Sequence, residues 1–355
     1  MVAQKQPDLS DYFGLRLFAA VPIFLFVAFL AFIIEDLAFA MLVLALAFVK
    51  FFDGYIDILV GVAQKSAHPV FMTRTALTRF VILVSVFSSA LIFSGSVSVA
   101  LLALGLAGFI HFFAVEYPWC KANGRMDYHI FDMDRNALSR RKKLAVDGLP
   151  IAAAVLIGAT QISIVRMFLE HFHGTIMLGN FAATLQIILI GNVIIVASGQ
   201  AFMPKLAQCF NESEKTYFLK ILGLLIGFVI ACVICGTLLS YFIGDQLIAF
   251  LFGEEFKNLG NLLVVGSLCS LPFFLNAILN QAVIACKLAY MQLYIYVIGL
   301  VIACISGWIM TQHYGMNGAY MSILITNAFQ SSVFLILIVK AFKHNAHHSG
   351  RPESL

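Results

Sequence analysis

Long apolar runs, separated by short polar or glycine-bearing breaks, repeat along the whole chain and show none of the two-residue alternation of barrel strands. Most are close to the ~20 residues a helix needs to cross a bilayer. The pattern predicts about ten helices, over 13–34, 37–62, 77–94, 96–116, 147–169, 175–203, 217–243, 259–286, 288–310 and 316–342. The clearest pair starts at Asp147-Gly148-Leu149-Pro150 and stays apolar from Ile151 to Leu169. It breaks at Glu170-His171-Phe172-His173-Gly174 and returns from Thr175 to Met203, ahead of Pro204-Lys205. Proline and a positive charge suit a helix end at a membrane surface, so this pair reads as a transmembrane hairpin.

The longest polar segment, Tyr117 to Val146, separates four predicted helices from six. The expected organisation is an N-terminal lobe (1–116), an inter-lobe loop (117–146), a C-terminal lobe (147–342) and a tail (343–355). Val62-Ala63-Gln64-Lys65 closes the second helix as Ile284-Ala285-Cys286-Lys287 closes the eighth, so helices one to four match seven to ten. Parallel repeats of this kind are related by an axis along the membrane normal and hold substrate between the lobes. The hairpin 147–203 lacks an upstream counterpart, and completing the symmetry would take two further helices ahead of Met1.

Composition places the chain among all-α polytopic membrane proteins: 355 residues, 61% hydrophobic and 11% charged, with a mean hydropathy of +0.96. The net charge of +4 resides in connecting segments rather than on one face, which speaks against a nucleic-acid site. With the N-terminus inside, the inner segments collect Lys65, Arg74, Lys121, Arg125, Arg135, Arg140, Arg141, Lys142, Lys143, Lys205, Lys215, Lys287, Lys340, Lys343 and Arg351. The outer turns hold Glu35-Asp36, Glu170 and Glu254-Glu255, with Lys257 as their lysine, so both termini are expected in the cytoplasm. The run Arg140 to Lys143 then serves as topology determinant or as a seat for anionic headgroups. Met1 to Asp11 has no signal-peptide character. Cys232-Val233-Ile234-Cys235 lies inside an apolar run without a second ligand pair, which fits small packing residues rather than a metal.

Ionisable groups at membrane depth cost at least ~2.5–3.5 kcal/mol on insertion scales and are functional candidates for that reason. Lys50, Asp53 and Asp57 share a face of the second helix at i, i+3 and i+7. They form either a polar cavity wall or an internal ion pair that makes insertion tolerable. Arg166 lies near the outer end of the fifth helix above Gln161 and Ser163, and Arg79 just inside the third, both within snorkelling reach of an interface. Asn180, Thr184, Gly191 and Ser198 form a stripe on the sixth helix, and Asn276 and Asn280 share a face of the eighth, positions suited to interhelical hydrogen bonds or ligand contacts. No GxSxG, HExxH or phosphate-loop signature occurs, and His344, His347 and His348 fall in the tail.

Tyr55-Ile56-Asp57, Gly61 to Lys65 and Arg79, then Leu149-Pro150, Arg166, Gly179-Asn180 and Met203-Pro204 occur in a telling order. With Phe252-Gly253-Glu254-Glu255-Phe256 and Gly315-Met316-Asn317-Gly318-Ala319-Tyr320, they make the chain resemble the polysaccharide flippases of the multidrug/oligosaccharidyl-lipid/polysaccharide (MOP) exporter superfamily, above all the lipid-linked O-antigen translocases. The resemblance implies a MATE-like fold of two six-helix lobes, against which this chain lacks the first pair. It implies as substrate an undecaprenyl-pyrophosphate-linked oligosaccharide turned across the bacterial inner membrane by alternating access, with other polysaccharide assembly proteins as partners. On that implication Lys50, Arg79 and Arg166 meet the pyrophosphate, Gln161, Asn180, Asn276 and Asn280 the sugars, and Asp53 and Asp57 a coupling H+ or Na+; no organic cofactor is implied. The competing readings are a membrane-bound acyltransferase acting on surface sugars, for which His111 has no evident basic partner, a polysaccharide polymerase, which would need a long external loop, and a non-transporting remnant that binds envelope assembly proteins.

Overall fold

A computed structural model describes residues 9–33, 37–65, 69–122 and 135–349, and no strand occurs among them. The helices are α1 (Leu9–Ile33), α2 (Leu37–Lys65), α3 (Pro69–Ser94), α4 (Val97–His111), α5 (Tyr117–Ala122), α6 (Arg135–Asn211), α7 (Lys215–Phe252), α8 (Gly260–Cys269), α9 (Leu271–Ala285) and α10 (Met291–Ser349). A π-helical turn, Phe112–Glu116, joins α4 to α5, and a 3-10 turn, Glu254–Phe256, follows α7. Among the described residues, six stretches are long and apolar enough to cross a membrane, including Arg74–Ser94, Val97–Trp119 and Lys215–Phe252. Large apolar side chains such as Phe80, Ile92, Phe93, Phe242 and Phe250 point outward, as a lipid solvent requires.

Two compact units divide the chain, Met1–Gly148 and Leu149–Leu355. In the first, α4 packs on α2 and α3, and α1 on α2. Gly105 of α4 lets the Phe48 ring of α2 lie where a Cβ would stand. The helix predicted from residue 77 begins at Pro69, a residue suited to a first helical turn because its missing N–H would be unpaired there.

The start of α6 departs furthest from the sequence pattern, which placed it at 147; it lies at Arg135. Asp11, buried in the first turn of α1, accepts from Arg140 Nε at 2.8 Å and stands 3.6 Å from Arg141 Nε. The carboxylate also complements the positive end of α1. Two members of the basic run are therefore engaged by protein.

In the second unit, α6 and α10 each break at one glycine. Gly174 has φ 80° and ψ 176°, and Gly315 φ 55° and ψ −129°, backbone states open to glycine alone at little cost. Both fall in the predicted polar breaks. About Gly315, α10 folds back on itself, so Ser306 and Ser322 hydroxyls meet at 2.8 Å and the Tyr296 ring meets Phe334. His173 Nε2 lies 2.7 Å from the Thr311 carbonyl, tying one corner to the other. The predicted helix 259–286 is two, because α8 ends at Cys269 and Pro272 opens α9. The Asp245 carboxylate accepts the Gly260 N–H at 2.7 Å and caps α8. Leu169, Phe181, Phe218, Leu225, Leu263, Ile278 and Phe334 fill the core, and Thr184 and Tyr320 share a buried hydrogen bond of 2.8 Å.

Candidate functional site

Each unit holds a cluster of polar side chains beside a cavity. In the first, Asp53 is the hub: Lys50 Nζ donates to its Oδ2 at 3.1 Å, as the i, i+3 spacing predicts, and Arg79 Nη2 of α3 donates to its Oδ1. Arg79 thus belongs to the Lys50–Asp53 group. Asp57 lies on α2, and its side chain is outside the described residues. The resemblance attached no role to Arg16, whose guanidinium occupies the space a Cβ of Gly54 would fill. Among the described residues no carboxylate pairs with it. Arg16 and Lys50 line a cavity of about 450 Å³ whose other walls are apolar, including Ile23, Phe24, Val27, Leu46 and Phe51. This combination of an oily wall and two cations is the complement of an anionic amphiphile.

Beside it, His111 and Glu116 are buried, with Nδ1 and Oε1 3.3 Å apart. The π turn produces this contact, because its wider pitch carries residue i+5 over residue i. Thr78 Oγ1 closes on His111 Nε2 at 3.3 Å, and Arg79 lies within electrostatic reach of both His111 and Glu116. The histidine that lacked a basic neighbour in the sequence has one in the fold.

In the second unit, α6, α9 and both arms of α10 enclose a cavity of about 250 Å³. Gln161, Asn276 and Asn280 line it, as do Gln292, Tyr296, Thr326, Asn327 and Gln330, which the sequence reading passed over. Gln161 Nε2 donates to the Tyr296 carbonyl at 2.9 Å, and Gln330 Nε2 to Gln161 Oε1 at 2.9 Å. Asn276 Nδ2 donates both to Gln330 Oε1 at 2.7 Å and to Asn327 Oδ1 at 2.8 Å. Asn327 Nδ2 ends on the Ile323 carbonyl at 2.8 Å, and Gln292 Nε2 donates to Asn280 Oδ1 at 2.6 Å. Gly299 makes room for the ladder, since a Cβ there would overlap the Gln330 amide. The signal in sequence was Asn327 and Gln330 at i, i+3 in an apolar helix.

Arg166 and Asn180 stand apart from the residues lining this cavity. Arg166 keeps a buried Nε without a hydrogen-bond partner, and Asn180 offers its carbonyl to the Thr184 hydroxyl at 3.3 Å. Among the described residues no cluster of His, Cys, Asp and Glu has metal-binding geometry.

No protein-family model matches the chain. A capsular polysaccharide biosynthesis protein of Staphylococcus aureus, CapF, is 24% identical over 285 residues, which cover 80% of this chain and 71% of that protein. A mutant of the Vibrio cholerae MATE transporter VcmN superposes with a TM-score of 0.76 at 15% identity, over 95% of this chain and 79% of that one. A MOP superfamily transporter from Pyrococcus furiosus gives 0.74 at 14% identity, over 94% and 77%. The chain is a multi-pass membrane protein with the fold of the MATE transporters.

Proposed function

We propose that this protein moves an undecaprenyl-pyrophosphate-linked oligosaccharide, a repeat unit of O-antigen or another surface polysaccharide, from the cytoplasmic to the outer leaflet of a bacterial inner membrane. The observation that carries the reading is the amphipathic cavity of the first unit, where Arg16 and Lys50 face an otherwise apolar space of about 450 Å³. A lipid pyrophosphate needs cationic partners and an apolar wall together, and a neutral drug or a free sugar needs only one of them. The likeness to a capsular polysaccharide biosynthesis protein supports the same cargo. Asp53 and Asp57 remain the candidates for coupling to H+ or Na+, and both termini lie in the cytoplasm in this reading.

Reconstitution into liposomes with a fluorescent undecaprenyl-pyrophosphate oligosaccharide tests it. Transfer between leaflets should depend on the protein and fall about tenfold or more in Arg16→Ala, whose loss removes a charge-assisted contact of ~1.5–3 kcal/mol. Transfer indistinguishable from empty liposomes, or a fully active Arg16→Ala variant, would refute the assignment.

A further inference from the structure

The amide ladder of the second unit has a fixed direction. A backbone carbonyl only accepts, so Gln161 must turn its NH2 to the Tyr296 carbonyl and its oxygen to Gln330. Gln330 must then present its NH2 to Gln161 and its oxygen to Asn276. Asn276 has to donate to both Gln330 and Asn327, which uses both hydrogens of Nδ2 and leaves Oδ1 on the other side. The Ile323 carbonyl imposes the same sense from the other end, through Asn327. No amide in the ladder can flip alone without setting two oxygens or two NH2 groups against each other.

What remains is a pair of unfilled groups. Asn276 is 8% exposed and Thr326 2%, both line the cavity, and Asn276 Oδ1 and Thr326 Oγ1 are buried without hydrogen-bond partners. Buried polar atoms are rarely left so, and each carries an uncompensated desolvation cost until something satisfies it. Satisfying Asn276 Oδ1 takes a donor, and Thr326 accepts or donates as required, so the polar lining suits a ligand rich in hydroxyl groups. A carboxylate or phosphate would set oxygen against oxygen there, with no cation among the lining residues to offset it. A hard metal cation would lack any carboxylate ligand in the same set. The Tyr296 and Phe273 rings add apolar wall, and the volume equals about eight waters at ~30 Å³ each, room for one sugar ring.

We propose that the cavity formed by Gln161, Asn276, Tyr296, Thr326 and Gln330 is a binding site for one uncharged sugar residue and discriminates against acidic sugars. The inference deepens the proposed flippase reading by naming the sugar class, and it rests on that reading for its physiological meaning.

The full chain in nanodiscs, titrated with a panel of methyl glycosides of neutral hexoses, deoxyhexoses and N-acetylhexosamines, with methyl glucuronide and NaCl as contrasts, provides the test. Thermal stabilisation and ligand-observed NMR should report binding of at least one neutral glycoside and none of the glucuronide. Thr326→Val, which keeps shape and removes the hydroxyl, should weaken that binding about tenfold, and Asn276→Leu should abolish it. Correct folding of Asn276→Leu is checked by an unchanged elution volume, and Thr326→Val carries the test alone if that variant misfolds. No response to any neutral glycoside, equal binding of the glucuronide, unaltered affinity in Thr326→Val, or stabilisation by Na+ alone would each overturn the proposal. Leaflet transfer that shows no preference between neutral and acidic oligosaccharides would remove this inference and leave the flippase reading intact. Sugar binding without leaflet transfer would do the reverse.

Discussion

Asp53 holds its two partners under unequal conditions. The Lys50 side chain is 70% exposed and ends a flexible stem, whereas Arg79 is 14% exposed and reaches Asp53 from another helix. An exposed i, i+3 pair contributes little, and a half-buried charged hydrogen bond that ties two helices contributes more. Arg79→Ala should thus lower stability by about 1.5–3 kcal/mol and Lys50→Ala by well under ~1 kcal/mol, a contrast visible in thermal unfolding followed by fluorescence-detected size exclusion. Lys50 and Asp53 were legible as partners because helical spacing is local. Arg79, 26 positions from Asp53, was visible only as a charge in an apolar helix, and Arg16 was not singled out at all. The same limit explains the amide cavity: Gln161, Asn276 and Asn280 stood out as polar residues in apolar runs, but their meeting with Gln330 depends on contacts across up to 169 positions.

At the scale of elements, the helical class and the breaks at Gly174 and Gly315 could be read from run lengths, since at both places several polar residues cluster with a glycine between apolar runs long enough to be helices. The long start of α6 could not, because Arg135 to Asp147 is too polar to signal a span and is fastened by Asp11 from the far end of the unit. Gly174→Ala should cost about 1–3 kcal/mol, since alanine at φ 80° and ψ 176° is strained whatever space surrounds it. Gly318→Ala should be at least as damaging for a different reason: its Cβ would overlap the Met310 carbonyl, backbone that cannot turn aside. Expression level and unfolding temperature of the two variants measure both effects. A Gly174→Ala protein as stable as the parent would mean that the corner there is not required.

For the whole molecule, the distribution of lysine and arginine sets orientation, and topology is where it can be checked. Reporter fusions at Met1 and after Leu355, and cysteines placed between 125 and 140, should all register the cytoplasm; a periplasmic signal from 125–140 would overturn the expected helix count. The absence of formal charge around the amide cavity has a consequence for energetics. A membrane potential does work only on charge, ~2.3 kcal/mol per elementary charge moved through 100 mV. An uncharged sugar entering the cavity lined by Gln161, Asn276 and Gln330 is invisible to that field, while a phosphate drawn to Arg16 and Lys50 is not. In the proposed cargo the voltage therefore acts on the lipid end alone, so sugar selectivity should be the same in an energised and a de-energised membrane, and only the rate of passage should change.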